Sequence, residues 1–114
     1  MTHVPWPKIQ QFPTVRKYAK DNGIGVLKYR GKIKLHGTNA AVRIDPDGTI
    51  TCQSRERIIT PTSDNYGFAA WVESEREYFA SLTQRAGSVV VFGEWCGPGI
   101  QQKVACSQIP KRSF

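Results

Sequence analysis

The chain has 114 residues, 39% of them hydrophobic and 11% aromatic, and its 16 Lys and Arg outnumber 9 Asp and Glu for a net charge of +7. That length allows one domain, or part of one, with a core burying roughly two-thirds of the unfolded surface, and the apolar share excludes a disordered tail. The positive balance points to a polyanion such as nucleic acid or nucleotide phosphates, or simply to solubility.

No window approaches the ~18 apolar residues of a membrane span. The start, Met1-Thr2-His3-Val4-Pro5-Trp6-Pro7, lacks the apolar centre of a signal peptide. The expected address is the cytoplasm, with no membrane partner. Cys52, Cys96 and Cys106 form no C-x-x-C pair, and the two histidines, His3 and His36, lie far apart in sequence. A zinc site needs about four clustered ligands, so no zinc site is expected and the cysteines are read as reduced, buried or incidental.

Residues 1–13 hold Pro5, Pro7 and Pro13 with Trp6 and Phe12 between them, an extended lead-in that brings aromatics to the domain. Thr14 is placed to cap a short helix over 15–20 that ends at Asn22-Gly23. From Gly25 the pattern becomes β-like. Val26 to Arg30 and Lys32 to Leu35 read as strands broken at Gly31. Ala40 to Ile44 alternates, Asp45-Pro46-Asp47-Gly48 is a turn, and Thr49 to Ser54 returns as the partner strand.

Thr62 to Asn65 is a polar loop suited to capping a helix. Phe68, Trp71, Val72, Tyr78, Phe79 and Leu82 fall near helical spacing, which predicts one amphipathic helix over about 67–83. Val89 to Phe92 is an apolar run that reads as a buried strand. It leads into Gly93-Glu94-Trp95-Cys96-Gly97-Pro98-Gly99-Ile100-Gln101, a glycine-rich loop of the kind that lets backbone approach a ligand. The predicted class is α+β, an antiparallel sheet with one long helix packed on it.

The chemistry concentrates in Lys32-Ile33-Lys34-Leu35-His36-Gly37-Thr38-Asn39. On a strand, Lys32, Lys34 and His36 share one face. Repulsion between the two ammonium groups favours the neutral, nucleophilic amine, which can attack a phosphoryl group. Gly37, Thr38 and Asn39 offer donors for phosphate oxygens. A cationic face that holds phosphate without covalent chemistry, or an ordinary solvated face, fits the same residues. Glu94 can accept a ribose hydroxyl or pair with a nearby cation. Arg55 and Arg57 can each hold a phosphate as a fork or serve as surface charge.

Lys34-Leu35-His36-Gly37-Thr38-Asn39 resembles the nucleotidyltransferase K-x-[DH]-G signature in its RNA-ligase form, K-x-H-G-T-N. Ser54-Arg55 lies where that family carries an arginine-bearing second motif. Phe92-Gly93-Glu94-Trp95-Cys96-Gly97-Pro98-Gly99-Ile100-Gln101 resembles its third motif, F-G-E-hydrophobic-x-G-P-G-x-Q. The motifs come in order, and the resemblance is to the ATP-dependent RNA ligases of the phage T4 RNA ligase 2 type, within the lysine nucleotidyltransferases.

The resemblance implies a partial nucleotidyltransferase (ATP-grasp-like ligase adenylation) domain. Lys34 would attack ATP with Mg²⁺ assisting, His36 would support later phosphoryl transfers, and Glu94 would hold the adenosine ribose. Gly37, Asn39 and Arg55 would lie at the nucleotide, and Asn39 and Arg55 at the RNA phosphates. Tyr66 and Phe68 would lie near the RNA end. The partners implied are broken or nicked RNA ends. The family's E-G-x-V and K-x-K motifs come later in the chain than the third motif, and neither follows Gln101 within residues 1–114, so the expectation is an N-terminal part of the domain. Such a part leaves a sheet edge open to a second copy or another polypeptide.

Overall fold

The Asp45-Pro46-Asp47-Gly48 corner seeds the sheet. Gly48 sits at φ 86° and donates its N–H to the Asp45 carbonyl at 3.0 Å, and the Asp47 carboxylate accepts the Thr49 N–H at 2.8 Å. A positive φ there costs glycine nothing. A computed structural model describes residues 2–83 and 87–114. In it the turn joins β1 (Thr38–Ile44) to β2 (Ile50–Ser54), with Ile44 opposite Ile50 and Ala40 opposite Ser54. This is the hairpin read from the sequence.

Two further strands complete an all-antiparallel sheet in the order β3-β2-β1-β4. The short β3 is Ile58–Ile59, and β4 is Val89–Trp95. Thr38 pairs with Trp95 and Asn39 with Glu94, so the start of β1 and the end of β4 lie side by side. Among the described strands β4 forms one edge. Alternation along the strands gives one face Ala40, Val42, Ile44 and Trp95, which join the hydrophobic core with Phe68, Val72 and Phe79. The other face carries Asn39, Ala41, Gln53, Phe92 and Glu94.

The predicted single helix over 67–83 is instead two, α2 (Phe68–Ser74) and α3 (Arg76–Ser81). The break falls at Glu75, and the Ser74 hydroxyl donates to the Trp71 carbonyl at 2.6 Å. A hydroxyl bonding back to the preceding turn competes with the helix ladder and bends it. The polar loop does cap, as its composition implied. The Asp64 carboxylate accepts the N–H groups of Ala69 and Ala70 at 2.8 and 3.0 Å.

The N-terminal helix, α1, runs Phe12–Asp21, earlier than predicted. Gln11 rather than Thr14 stands at its cap, with proline in the first turn, where a missing N–H costs no helix bond. Ahead of it the lead-in crosses the second sheet face. Val4 exchanges two hydrogen bonds with the buried Gln53 amide, and Trp6 packs on Phe92 at 5.1 Å.

The strands predicted at 26–30 and 32–35 are absent. Residues 24–36 carry no regular structure, and Val26, Tyr29 and Ile33 are exposed. Alternation supplies a strand's faces, but a ladder needs a neighbouring edge, and this segment lies against none. With no strand, there is no shared face of Lys32, Lys34 and His36. No described helix is long and apolar enough to cross a membrane.

Candidate functional site

The exposed segment carrying Lys34 enters the sheet through one clamped residue, Gly37. A Cβ there would stand 2.1 Å from the Trp95 carbonyl oxygen and 2.7 Å from the Cys96 Cβ. Only glycine fits such an approach. The Gly37 N–H donates to Glu94 Oε1 at 3.1 Å, and the Gln101 side-chain amide donates to the Gly37 carbonyl at 3.1 Å. One residue back, the His36 N–H points at the Cys106 sulfur at 3.5 Å. The K-x-H-G-T-N corner is therefore fastened to the strand end and loop that carry the third motif.

Antiparallel pairing explains the convergence. The start of β1 and the ends of β2 and β4 meet at one end of the sheet. That end brings together Asn39 on β1, Glu94 opposite it on β4, and Arg55 one residue beyond β2. Asn39 and Glu94 are partly buried, while Lys34, His36 and Arg55 are exposed. Gly37 departs from its expected part in one respect: its N–H is already committed to Glu94, so the corner's free donors begin after it. Glu94 uses one oxygen on Gly37, and a carboxylate has acceptor capacity for more.

Three other expectations take definite places. Arg57 is built into its own loop, donating to the Ser63 carbonyl at 2.9 Å and the Asp64 carbonyl at 3.0 Å, so it orders the loop ahead of α2. Tyr66 is exposed at φ 53°, its carbonyl accepting from the Trp95 indole at 3.0 Å and Arg112 at 2.6 Å. Phe68 is a correction. It is fully buried and packs against Trp71, Trp95 and Phe114 on the helix side of the sheet, away from the Asn39–Glu94 face. A ring held in the core has no surface left for RNA.

Gln101 and Cys106 were assigned no role at the corner from the sequence. Gln101 ended the quoted third motif, which was a usable signal. Cys106, 70 residues from its partner His36, offered none. Cys52 lies in the core, where burial pushes its thiol up to about 12, so it stays protonated and inert.

An open concavity of about 690 Å³ lies elsewhere, on the helix side, lined by Trp71, Tyr78, Trp95, Lys111 and Phe114 among others. Its Arg112 is engaged with the carbonyls of Pro98 and Tyr66, and Glu75 joins Lys111 in the lining. None of Lys34, Asn39, Arg55 or Glu94 lines it. Among the described residues, no group of three or more His, Cys, Asp or Glu side chains is placed to hold a metal ion.

A family model described as RNA ligase matches residues 28–112, about three quarters of the chain. The match begins ahead of Lys34 and takes in the Gly37 corner, Arg55, Glu94 and Gln101. The chain belongs to the RNA ligase family.

Proposed function

We propose that this chain handles the nucleotide in an ATP-dependent RNA ligase of the phage T4 RNA ligase 2 type, with Lys34 as the covalent nucleophile. The observation that carries the reading is the Gly37–Glu94 hydrogen bond. It joins the lysine-bearing motif to the carboxylate of the third motif in one rigid corner.

In this reading the neutral Lys34 amine attacks the α-phosphorus of ATP. A P–N bond forms, the bond to the bridging oxygen of pyrophosphate breaks, and the amine proton passes to solvent. A 5′-phosphate oxygen of RNA then attacks the same phosphorus, and the P–N bond breaks. Finally an RNA 3′-hydroxyl attacks the activated 5′-phosphate and AMP leaves. Glu94 accepts a ribose hydroxyl with its remaining lone pairs, while Asn39 and Arg55 donate to phosphate oxygens. His36 stands beside the corner to support the later transfers. Tyr66 stays at the surface near the RNA end.

Mg²⁺ typically binds through substrate phosphates and water with few protein ligands, so the lack of a side-chain cage among the described residues is compatible with its use. When bound it neutralises phosphate charge. RNA ends are the partners. The outer edge of β4 is the place for a further strand from a second copy or another polypeptide, and residues 1–114 are read as the N-terminal part of the adenylation domain.

A second reading, RNA binding without catalysis, is favoured by one observation. Lys28, Arg30, Lys32 and Lys34 are all exposed on an irregular segment, an arrangement suited to phosphates in general. The test is incubation with Mg²⁺ and ATP labelled at the α-phosphate, followed by denaturing electrophoresis. Label retained by the wild type and lost in Lys34→Ala supports the ligase reading. RNA binding in a folded sample that takes no label supports the second.

A further inference from the structure

Two thiols flank the corner at which the Lys34 segment meets the sheet. Cys96 directly follows β4 and is buried, its Cβ packed where a side chain on Gly37 would stand. Its backbone is fixed by Ser113, which exchanges two hydrogen bonds with it at 3.0 and 2.8 Å. Cys106 lies in a 3₁₀ turn, Ala105–Gln108, is half-buried, and accepts the His36 N–H. Cys106 thus sits against His36 and Cys96 against the adjoining Gly37, so the two side chains meet neighbouring residues of the same corner. All three cysteines are free, and Cys52 belongs to the separate core cluster under α2.

We infer that Cys96 and Cys106 form a thiol-modification site for small disulfides of the glutathione class, and that closing it releases the His36 N–H. The difference in exposure orders the steps. The Cys106 thiolate attacks one sulfur of the small disulfide, that S–S bond breaks, and one thiolate leaves, giving a mixed disulfide on Cys106. Cys96 then loses its proton to solvent and attacks the Cys106 sulfur, and the second small thiolate leaves. Two protein thiols are oxidised by two electrons to one disulfide, and the reagent is reduced to two thiols.

Desolvation, and then the neighbouring Cys106, hold Cys96 above the ordinary thiol range, so Cys96 is not the thiol that attacks first. A disulfide brings its sulfurs to about 2 Å, closer than these two free thiols sit. Cys106 must therefore turn away from His36 as the bond closes. Formation of the disulfide does not depend on the role proposed for Lys34, whereas its bearing on catalysis does.

The test treats the reduced full chain with oxidised glutathione, alkylates the remaining thiols and maps peptides by mass spectrometry without reduction. The expected product links the Cys96 and Cys106 peptides within one chain, leaves Cys52 alkylated and reverts with dithiothreitol. Amide hydrogen exchange at His36 is several-fold faster in that product. Cys106→Ser is expected to give neither the link nor a glutathione adduct at Cys96. A stable adduct on Cys106 with no link, or a link through Cys52, overturns the pairing. An unchanged His36 exchange rate in the linked form overturns its coupling to the corner. None of these outcomes alters whether the reduced chain takes label from ATP.

Discussion

Asn39 and Glu94 stand directly opposite each other across the antiparallel β1–β4 pair, and the Glu94 carboxylate also accepts the N–H of Gly37, two residues before Asn39. An amide donor and an acceptor carboxylate thus share one sheet face at the point where the Lys34 segment begins its strand. The geometry is set by backbone pairing, so it holds without any ligand. Glu94 has a structural part in holding the corner and a chemical part in the proposed nucleotide site, and substitutions can separate the two.

Glu94→Gln keeps an oxygen for the Gly37 N–H and removes the charge. Its urea midpoint is expected to stay near wild type, with nucleotide binding weakened tenfold or more. Glu94→Ala removes the acceptor as well. A hydrogen bond to a charged group contributes about 1.5–3 kcal/mol, so a stability loss of that order is expected from urea titration of the alanine variant alone.

Gly37→Ala places a methyl 2.1 Å from the Trp95 carbonyl oxygen, with backbone on one side and the Cys96 side chain on the other. Overpacking of this kind costs roughly 1–3 kcal/mol. A lowered thermal midpoint together with loss of ATP labelling is the expected result. A variant as stable as wild type would mean that the approach of β4 to Gly37 is looser than described.

Phe68 and Tyr66 are two residues apart and should behave oppositely. Phe68→Ala empties the centre of the aromatic core and is expected to cost about 3–5 kcal/mol. Tyr66→Ala removes an exposed ring and, under the proposal, weakens RNA binding more than stability. Paired urea titrations and RNA-binding isotherms read both effects.

Cys52 gives the chain an alkaline limit. Folding raises its pKa from an ordinary 9.0 to about 12 through burial. The folded state therefore keeps the proton that the unfolded state loses. Its contribution is lost as the unfolded thiol ionises only in the sense that the native state is then the one obliged to hold a proton: stability falls as pH rises from 9.0 towards about 12. Urea titrations across that window should show wild-type stability falling more steeply than that of Cys52→Ala, whatever the variant's absolute stability.

Salt dependence of RNA binding reads the basic segment. Lys32→Ala removes an exposed charge with no covalent part in the proposal. It should reduce the slope of log K against log salt by at most about 0.7, the value for one phosphate contact on a single strand. ATP labelling should be retained.

What could be read from the sequence was local, or carried by contiguous motifs. The 45–48 corner was legible because proline and Asp-Gly fix the turn by their own backbone preferences, and the strands on either side are set by it. The apolar run at 89–92 identified β4. The segment 26–35 misled because alternation reports which residues can share a face, while the partner edge that makes a strand lies elsewhere in the chain. Tyr66 and Phe68 are near neighbours in sequence, yet the turn at Gly67 sends the first to the surface and the second to the core. The bonds from Gly37 to Glu94 and from His36 to Cys106 span 57 and 70 residues, and nothing in either local sequence announces them. Motif order pointed to Lys34, Arg55 and Glu94 as a group, and the register of the sheet supplies the physical reason why Arg55 and Glu94 lie at the end where the Lys34 segment enters.

The most direct test of the central claim is peptide mapping of the full chain after incubation with ATP and Mg²⁺, under basic conditions that preserve a phosphoramidate. The account predicts an added AMP on Lys34, with Lys32 unmodified and the adduct absent from Lys34→Ala. A folded sample with no adduct, or with the adduct on Lys32, would contradict it.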